Sequence, residues 1–313
     1  MRQRFLVWAL LAGASAACAQ DYPNKPIRIV TSEAGGGNDV QARMVAQGLS
    51  IALGEQVVVE NRPSGVIPGE IVSKATPNGY TLLLYNNTLW YGSLLQTTPY
   101  DVFKDLAPVT AVARGANVVV VNPATSVKSI AELIAIAKAK PGELNYGSSG
   151  TGATNHLAAE LFKSMAGVNV VRINYKGAGP ALTALLAGEI QLMFPTAGAA
   201  TPHLKSGRVR ALAVTSLEPT ALFPGVPTVA ASLPGYESVT IYGIFVPART
   251  PRAIIGRLND EIVRFLARPD VKEKFMNAGM ETAGGPPEQL SAAVKAELVR
   301  MGKVIKDAGI RVE

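Results

Sequence analysis

Twice along this chain a short strand-forming run breaks into a glycine-rich turn and then into an alanine-rich helical pattern. The first turn is Ala34-Gly35-Gly36-Gly37-Asn38-Asp39, after a β-branched run at residues 27–31. The second is Gly147-Ser148-Ser149-Gly150-Thr151-Gly152, after a weaker run at residues 144–146. A strand that passes straight into a helix leaves N–H groups unpaired at the helix start. Partial positive charge collects there, and anions or carbonyls dock. Two such units, about a domain's width apart in sequence, predict two lobes closing on one small molecule.

The first residues read as a targeting segment. Arg2 and Arg4 form a basic start, residues 5–17 are apolar and nearly uncharged, and Ala17-Cys18-Ala19 fits the small-x-small cleavage rule. Residues 1–19 are therefore expected to be a signal peptide, and the apolar stretch is too short for a membrane span of about 20 residues. Ser15-Ala16-Ala17-Cys18 also resembles a lipobox, but serine stands where leucine is usual, so a soluble mature form is expected rather than one anchored at Cys18. Cys18 is the chain's one cysteine. Without it a mature protein has no disulfide, thiolate nucleophile or cysteine-ligated metal, and must be stabilised by its core. About 290 residues suffice for that as two lobes. The net charge of +7 falls to +5 once Arg2 and Arg4 leave. That excess is spread along the chain, with no basic and aromatic cluster of the kind a nucleic-acid groove needs.

The mature chain alternates strand and helix patterns, which predicts α/β architecture with largely parallel sheets. Strands are expected at residues 27–31, 56–60, 80–85, 117–121, 169–173, 191–194, 209–214 and 239–246. Helices are expected at residues 39–53, 69–75, 129–138, 154–165, 180–187, 251–266, 269–277 and 287–306. In the first helix Val40, Met44, Leu49 and Leu53 approximate an apolar face. Ser129 with Glu132 reads as a capping box. Pro219, Pro224, Pro227 and Pro234 mark a rigid loop. The run at 239–246 is long enough to cross between lobes.

Catalytic and cofactor motifs are missing. Neither turn has the lysine and hydroxyl of a P-loop, and neither spells GxGxxG. The two histidines, His156 and His203, lie far apart in sequence, with no HExxH and no GxSxG. His156 has Glu160 one helical turn on, a potential acid–base or metal pair, but reads more simply as a first-turn histidine bonded to nearby backbone. No cofactor and no metal are expected. What remains is recognition chemistry. Ser148, Ser149, Thr151 and Thr154 place hydroxyls around backbone N–H groups, suited to a carboxylate or amide, or to capping the helix that follows. Asn38 and Asp39 read as caps. Asn86, Asn87 and Thr88 end a strand where clefts form in open α/β sheets. Trp90 and Tyr91 beyond them suit either ligand stacking or core packing.

The order of these residues resembles the tripartite tricarboxylate transporter substrate-binding proteins, the Bug family. The resemblance is carried by Tyr22-Pro23-Asn24-Lys25-Pro26-Ile27-Arg28, Ala34-Gly35-Gly36-Gly37, Val59-Glu60-Asn61-Arg62-Pro63 and Pro77-Asn78-Gly79-Tyr80-Thr81-Leu82. It continues through Tyr146-Gly147-Ser148-Ser149-Gly150 with His156-Leu157, Tyr175-Lys176-Gly177 and Gly207-Arg208-Val209-Arg210-Ala211-Leu212-Ala213, to Val304-Ile305-Lys306-Asp307-Ala308-Gly309-Ile310. It implies a two-lobed, type II periplasmic-binding-protein-like flytrap with crossing strands. Lobe I is expected at residues 21–112 with 243–313, and lobe II at residues 113–242. It implies a non-catalytic, monomeric periplasmic receptor that hands a small molecule to integral membrane transporter subunits. An orphan signalling receptor, or an exported enzyme using His156 and Glu160, are the alternatives. The residues expected at the ligand are Glu33, Ala34, Gly35, Gly36, Asn86, Asn87, Ser148, Ser149, Gly150, Thr151, His156, Pro195 and Thr196.

The chain departs from that family at three places. Thr31-Ser32-Glu33 replaces an apolar, proline-containing stretch, Ser64-Gly65-Val66-Ile67-Pro68 replaces Gly-Ala-Gly-Gly, and Pro195 stands where many members carry aspartate. Glu33 either faces the cleft or turns to solvent. In the first case its charge opposes a polyanion, so a monocarboxylate, an amino acid or an amide is expected. A β-branched residue at Gly36 is expected to block close approach of the backbone to the ligand.

Overall fold

The computed structural model describes residues 22–63 and 65–310. The expected signal peptide, Cys18 and Ser64 lie outside the described residues. Two sheets organise the chain. The first contains β1 (Ile27–Thr31), β2 (Val57–Asn61), β3 (Thr81–Tyr85), β4 (Leu106–Ala116), β10 (Val239–Pro247) and β11 (Glu281–Gly284). Its order is β11-β4-β10-β3-β1-β2. The second contains β5 (Val118–Val121), β6 (Asn145–Ser148), β7 (Val171–Asn174), β8 (Leu192–Met193) and β9 (Arg210–Val214), in the order β7-β6-β8-β5-β9. β1, β2 and β3 run parallel, as do β6, β7 and β8. The remaining pairs are antiparallel. Strands buried on both faces read as continuous apolar runs, as parallel strands commonly do; parallel β1 and antiparallel β5 are both legible for that reason.

Among the described residues ten α-helices cover the sheets. They are α1 (Gly37–Leu53), α2 (Ile67–Ser73), α3 (Thr88–Leu95), α4 (Ile130–Ala139), α5 (Thr154–Ala166), α6 (Ala178–Ala187), α7 (Ala197–Lys205), α8 (Arg252–Leu266), α9 (Pro269–Asn277) and α10 (Pro287–Asp307). The capping box at α4 forms: Ser129 accepts from the Glu132 N–H, and Glu132 reaches back to the Lys128 N–H. α8 buries Ile254, Leu258, Ile262 and Leu266, one residue per turn. One apolar core lies under α1, α8 and α9, and another under α6 and α7. A third runs continuously from the first sheet to the second through α3, α5 and α10.

Several expectations need correction. The apolar face of α1 is Ala42, Val45, Ala46 and Leu49, whereas Val40 is exposed. Small residues bring this helix close to its neighbours: a Cβ on Gly48 would sit 2.4 Å from the Phe265 ring. The strand β4 was not expected at all. Pro108, Arg114 and Gly115 interrupt any alternation in its sequence, and it exists because β10 pairs with it along its whole length. The residues 112/113 and 242/243, where the lobe boundaries are expected, lie within β4 and β10, and the pairing of these strands shifts register between Tyr242 and Gly243. α7 and β11 also went unread, the former because alanine, glycine and an internal Pro202 give little periodicity.

The turn expected at residues 86–88 opens α3, and this removes the stacking option for Trp90 and Tyr91, which are 0% and 4% exposed in the core. Asn87 is buried with them. Its side-chain oxygen accepts from the Ile241 N–H at 2.5 Å, and its amide nitrogen donates to the Val239 carbonyl at 3.0 Å. β10 pairs with β3 at residues 243–245, so the Asn87 amide continues that ladder as a neighbouring peptide group would. The same nitrogen bonds Tyr91 Oη and Glu297 on α10. Glu297 is 2% exposed and also holds Tyr91 Oη and Arg300, and Arg300 pairs with Glu237 at 2.7 Å. Substituting Asn87→Ala leaves the buried Ile241 N–H and the partly buried Val239 carbonyl without their partner. A loss of about 2–4 kcal/mol is expected, since each unsatisfied buried group costs about 1–3 kcal/mol; urea denaturation followed by circular dichroism measures it.

Candidate functional site

Both glycine turns sit where a parallel strand enters a helix, and both are closed by a side chain from that helix. At the first, Gly35 has φ +83°, a left-handed conformation that favours glycine, and its N–H donates to Asp39 Oδ2 at 2.9 Å. Asp39 is also held by Asn61 at 2.8 Å and by Arg43 at 3.0 Å. Burial alone raises its pKa, but the bonds from Arg43, the Gly35 N–H and Asn61 prevail and hold the carboxyl below its usual range. Asn38 donates to Ser32 Oγ at 3.0 Å. Glu33, Ala34 and Gly35 are exposed, and Gly36 is half-buried.

Within the protein itself the crowded glycine of the first turn is Gly37. A Cβ on Gly36 would meet the Glu33 carbonyl at 3.5 Å, an ordinary contact, whereas one on Gly37 would lie 2.5 Å from Tyr242 Oη. Tyr242 comes from β10 and is buried. Burial pushes its phenol up to about 12, against the opposing effect of a bond to Asn86. Asn86 Oδ1 accepts from the Thr88 N–H and hydroxyl. The crossing strand therefore brings the first turn and the end of β3 together through Tyr242, a residue that no local motif marks.

The second turn repeats the closure with different chemistry. The Gly152 N–H donates to His156 Nδ1 at 3.1 Å, four residues on, as Gly35 does to Asp39. The Ser149 N–H and hydroxyl both donate to Asn155 Oδ1. His156 is 2% exposed; burial, and then the charge of Arg172, push its pKa down to about 4. Arg172 on β7 lies across this turn. Its Nε is 2.7 Å from Ser148 Oγ, its Nη2 is 3.0 Å from Asn174 Oδ1, and both terminal nitrogens lie 3.3 Å from Thr151 Oγ1. No local spacing points to Arg172, because only the parallel pairing of β6 with β7 places it beside Ser148. Gly152 also touches the other half of the molecule: its Cβ, if present, would lie 2.6 Å from Leu95 at the end of α3.

The remaining expected residues divide. Thr196 is the exposed N-cap of α7 and forms a β-bridge with Asn117, and the Pro195 carbonyl accepts from the Val118 N–H. Both stand at the passage between the sheets. Asn87 has its amide committed to the interior, as described above. Glu160 accepts from the Tyr146 hydroxyl at 2.6 Å and pairs with Lys163 at 2.8 Å, so the His156 and Glu160 pair is divided between two structural tasks. Among the described residues no group of three histidine, cysteine or acidic side chains is placed to hold a metal ion, and no helix is long and apolar enough to cross a membrane.

A family model described as tripartite tricarboxylate transporter family receptor matches residues 41–310. The chain is 35% identical over 315 residues to Protein BugT of Bordetella pertussis, covering 98% of this chain and 97% of that one. Among solved structures it is similar to R. palustris Rpa4515 with adipate, at TM-score 0.80 and 35% identity over 93% of this chain and 99% of the other. It is also similar to MatC (Rpa3494) from Rhodopseudomonas palustris with bound malate, at TM-score 0.75 and 25% identity over 91% and 100%.

His156 gives this site a pH signature. Its pKa is lower in the fold than in the unfolded chain, so the unfolded chain binds the extra proton first. The stabilisation from the neutral ring is fully present above about pH 6.5 and lost as pH falls towards about 4. Protonating Nδ1 removes the acceptor for the Gly152 N–H. Thermal denaturation from pH 7 to 4 is expected to show a loss on the order of 3 kcal/mol that is largely absent in His156→Gln.

Proposed function

The chain belongs to the tripartite tricarboxylate transporter receptor family, and we propose that it captures a small organic acid between its two lobes and delivers it to a membrane transporter of the tripartite tricarboxylate type. The proteins of this family are periplasmic solute receptors. One observation carries the ligand reading: each sheet holds a strand–turn–helix unit, and at the second turn Arg172 lies beside the exposed Thr151 hydroxyl. A carboxylate is the small anion that suits such donors. Adipate and malate, bound in the two similar structures, each carry two carboxylates. The proposed ligand therefore widens from a monocarboxylate or amide to acids with one or two carboxylates. The proposed lobes are residues 22–116 with 239–310, and residues 117–238, so that the chain changes lobe at Asn117 and Ser238. Export with loss of residues 1–19 belongs to the same reading.

Calorimetry against linear mono- and dicarboxylates and malate is expected to give one site per chain. At a ligand concentration 100 times Kd the protein gains about 2.7 kcal/mol of stability, read as a rise in Tm. Native mass spectrometry is expected to find the acid retained unchanged. Absence of binding across this set, with no acid retained by the purified protein, refutes the reading.

A further inference from the structure

The two turns share a fold but not a charge. At the first, the side chain that closes the turn is an ionised carboxylate already paired with Arg43. At the second it is a neutral imidazole, and the nearby cation is Arg172. The guanidinium is held by three neutral oxygens, those of Ser148, Thr151 and Asn174. Among the described residues no carboxylate lies within 4.0 Å of it. Glu160, on the helix that follows this turn, is taken by Tyr146 and Lys163 instead. A half-buried arginine fixed in this way is an oriented charge that no carboxylate among the described residues pairs with directly. Thr151 is exposed, and its oxygen accepts from Arg172, which leaves its own O–H to donate outward.

We propose that Arg172 determines specificity by taking a carboxylate of the bound acid at the second turn, with the Thr151 hydroxyl as the adjacent donor. This rests on the receptor reading above and adds to it which lobe binds the charge and which residue selects it. The planar fork of arginine suits a carboxylate, and the three oxygens behind it set its orientation before the ligand arrives. Lysine keeps the charge but cannot reproduce that fork. The α5 N-terminus contributes positive potential on the same side. The first turn, closed by Asp39, is left to the uncharged or second polar end of the ligand.

The test is calorimetry on the wild type, Arg172→Gln, Arg172→Lys and Thr151→Val, against linear dicarboxylates of three to eight carbons, their monoamides and malate. For the acid that the wild type binds best, Arg172→Gln is expected to weaken Kd about 10- to 150-fold, the range for a hydrogen bond between charged groups, and Thr151→Val about 2- to 10-fold. Arg172→Lys is expected to fall between Arg172→Gln and the wild type. Wild-type affinity should weaken with added salt, and that dependence should flatten in Arg172→Gln, which a purely structural arginine would not produce. If Arg172→Gln binds within threefold of the wild type with the same salt dependence, this inference is overturned and the receptor reading stands. If the wild type binds no acid in the set, both are overturned. If Arg172→Gln does not fold, Thr151→Val decides: unchanged affinity overturns the inference, and the expected weakening supports it.

Discussion

The antiparallel pair of β4 and β10 is the constraint on which the rest of the molecule depends. It extends from Leu106 with Pro247 to Ala116 with Val239, with register shifts at Tyr242/Gly243 and Ile244/Phe245. At its far end the chain leaves through Asn117 into the second sheet, where Val118 begins β5. Two passes of backbone thus tie both sheets to one rigid ribbon. β10 is secured again on its other side, first by β3 and then by the Asn87 amide standing in for a missing strand residue. Burial explains why an asparagine suits that place: the Ile241 N–H is buried and the Val239 carbonyl partly so, and an apolar side chain would leave both without this partner. Glu297 and Arg300 fasten α10 against the same place, so the C-terminal helix and the crossing strand are one unit.

From that ribbon the recognition surfaces follow. Tyr242 on β10 lies against Gly37 and bonds Asn86, so the position of the first turn is referred to the crossing strand. Closure of each turn by its own helix, Gly35 on Asp39 and Gly152 on His156, keeps the backbone from collapsing onto its own donors. The same device with a different acceptor gives the turns opposite electrostatic character. Asp39 and Arg172 make the two turns electrostatically unlike, whatever Glu33 contributes.

Legibility varied with the source of each feature. Continuous valine and isoleucine runs announced the central strands, since burial on both faces removes the need for polar alternation. Helices with caps or one clean apolar stripe, such as α4 and α8, were placed within a residue or two. β4, α7 and β11 were not, because their sequences carry proline, glycine and alanine whose conformations are fixed by a neighbour rather than by propensity. At the site, the two turns were visible as motifs, but Asn38 and Asp39, expected as caps, lie inside α1, whose N-cap is Gly36; their side chains bond Ser32 and the Gly35 N–H instead. Arg172 and Tyr242 were invisible, because each comes from a strand whose position only pairing defines.

By itself the sequence determined an α/β chain with two strand–glycine turn–helix units and a family-wide order of short motifs. It could do so because strand burial, helix capping and the φ of glycine are decided within a few residues. Tertiary structure alone decided which side chains surround each turn. It sent Trp90, Tyr91 and Asn87 into the interior, made Gly37 rather than Gly36 the crowded glycine, and laid Arg172 across the second turn. Those outcomes depend on strand order and on contacts between residues far apart in sequence, where the cost of burying an unpaired polar group and the reach of a single charge are settled.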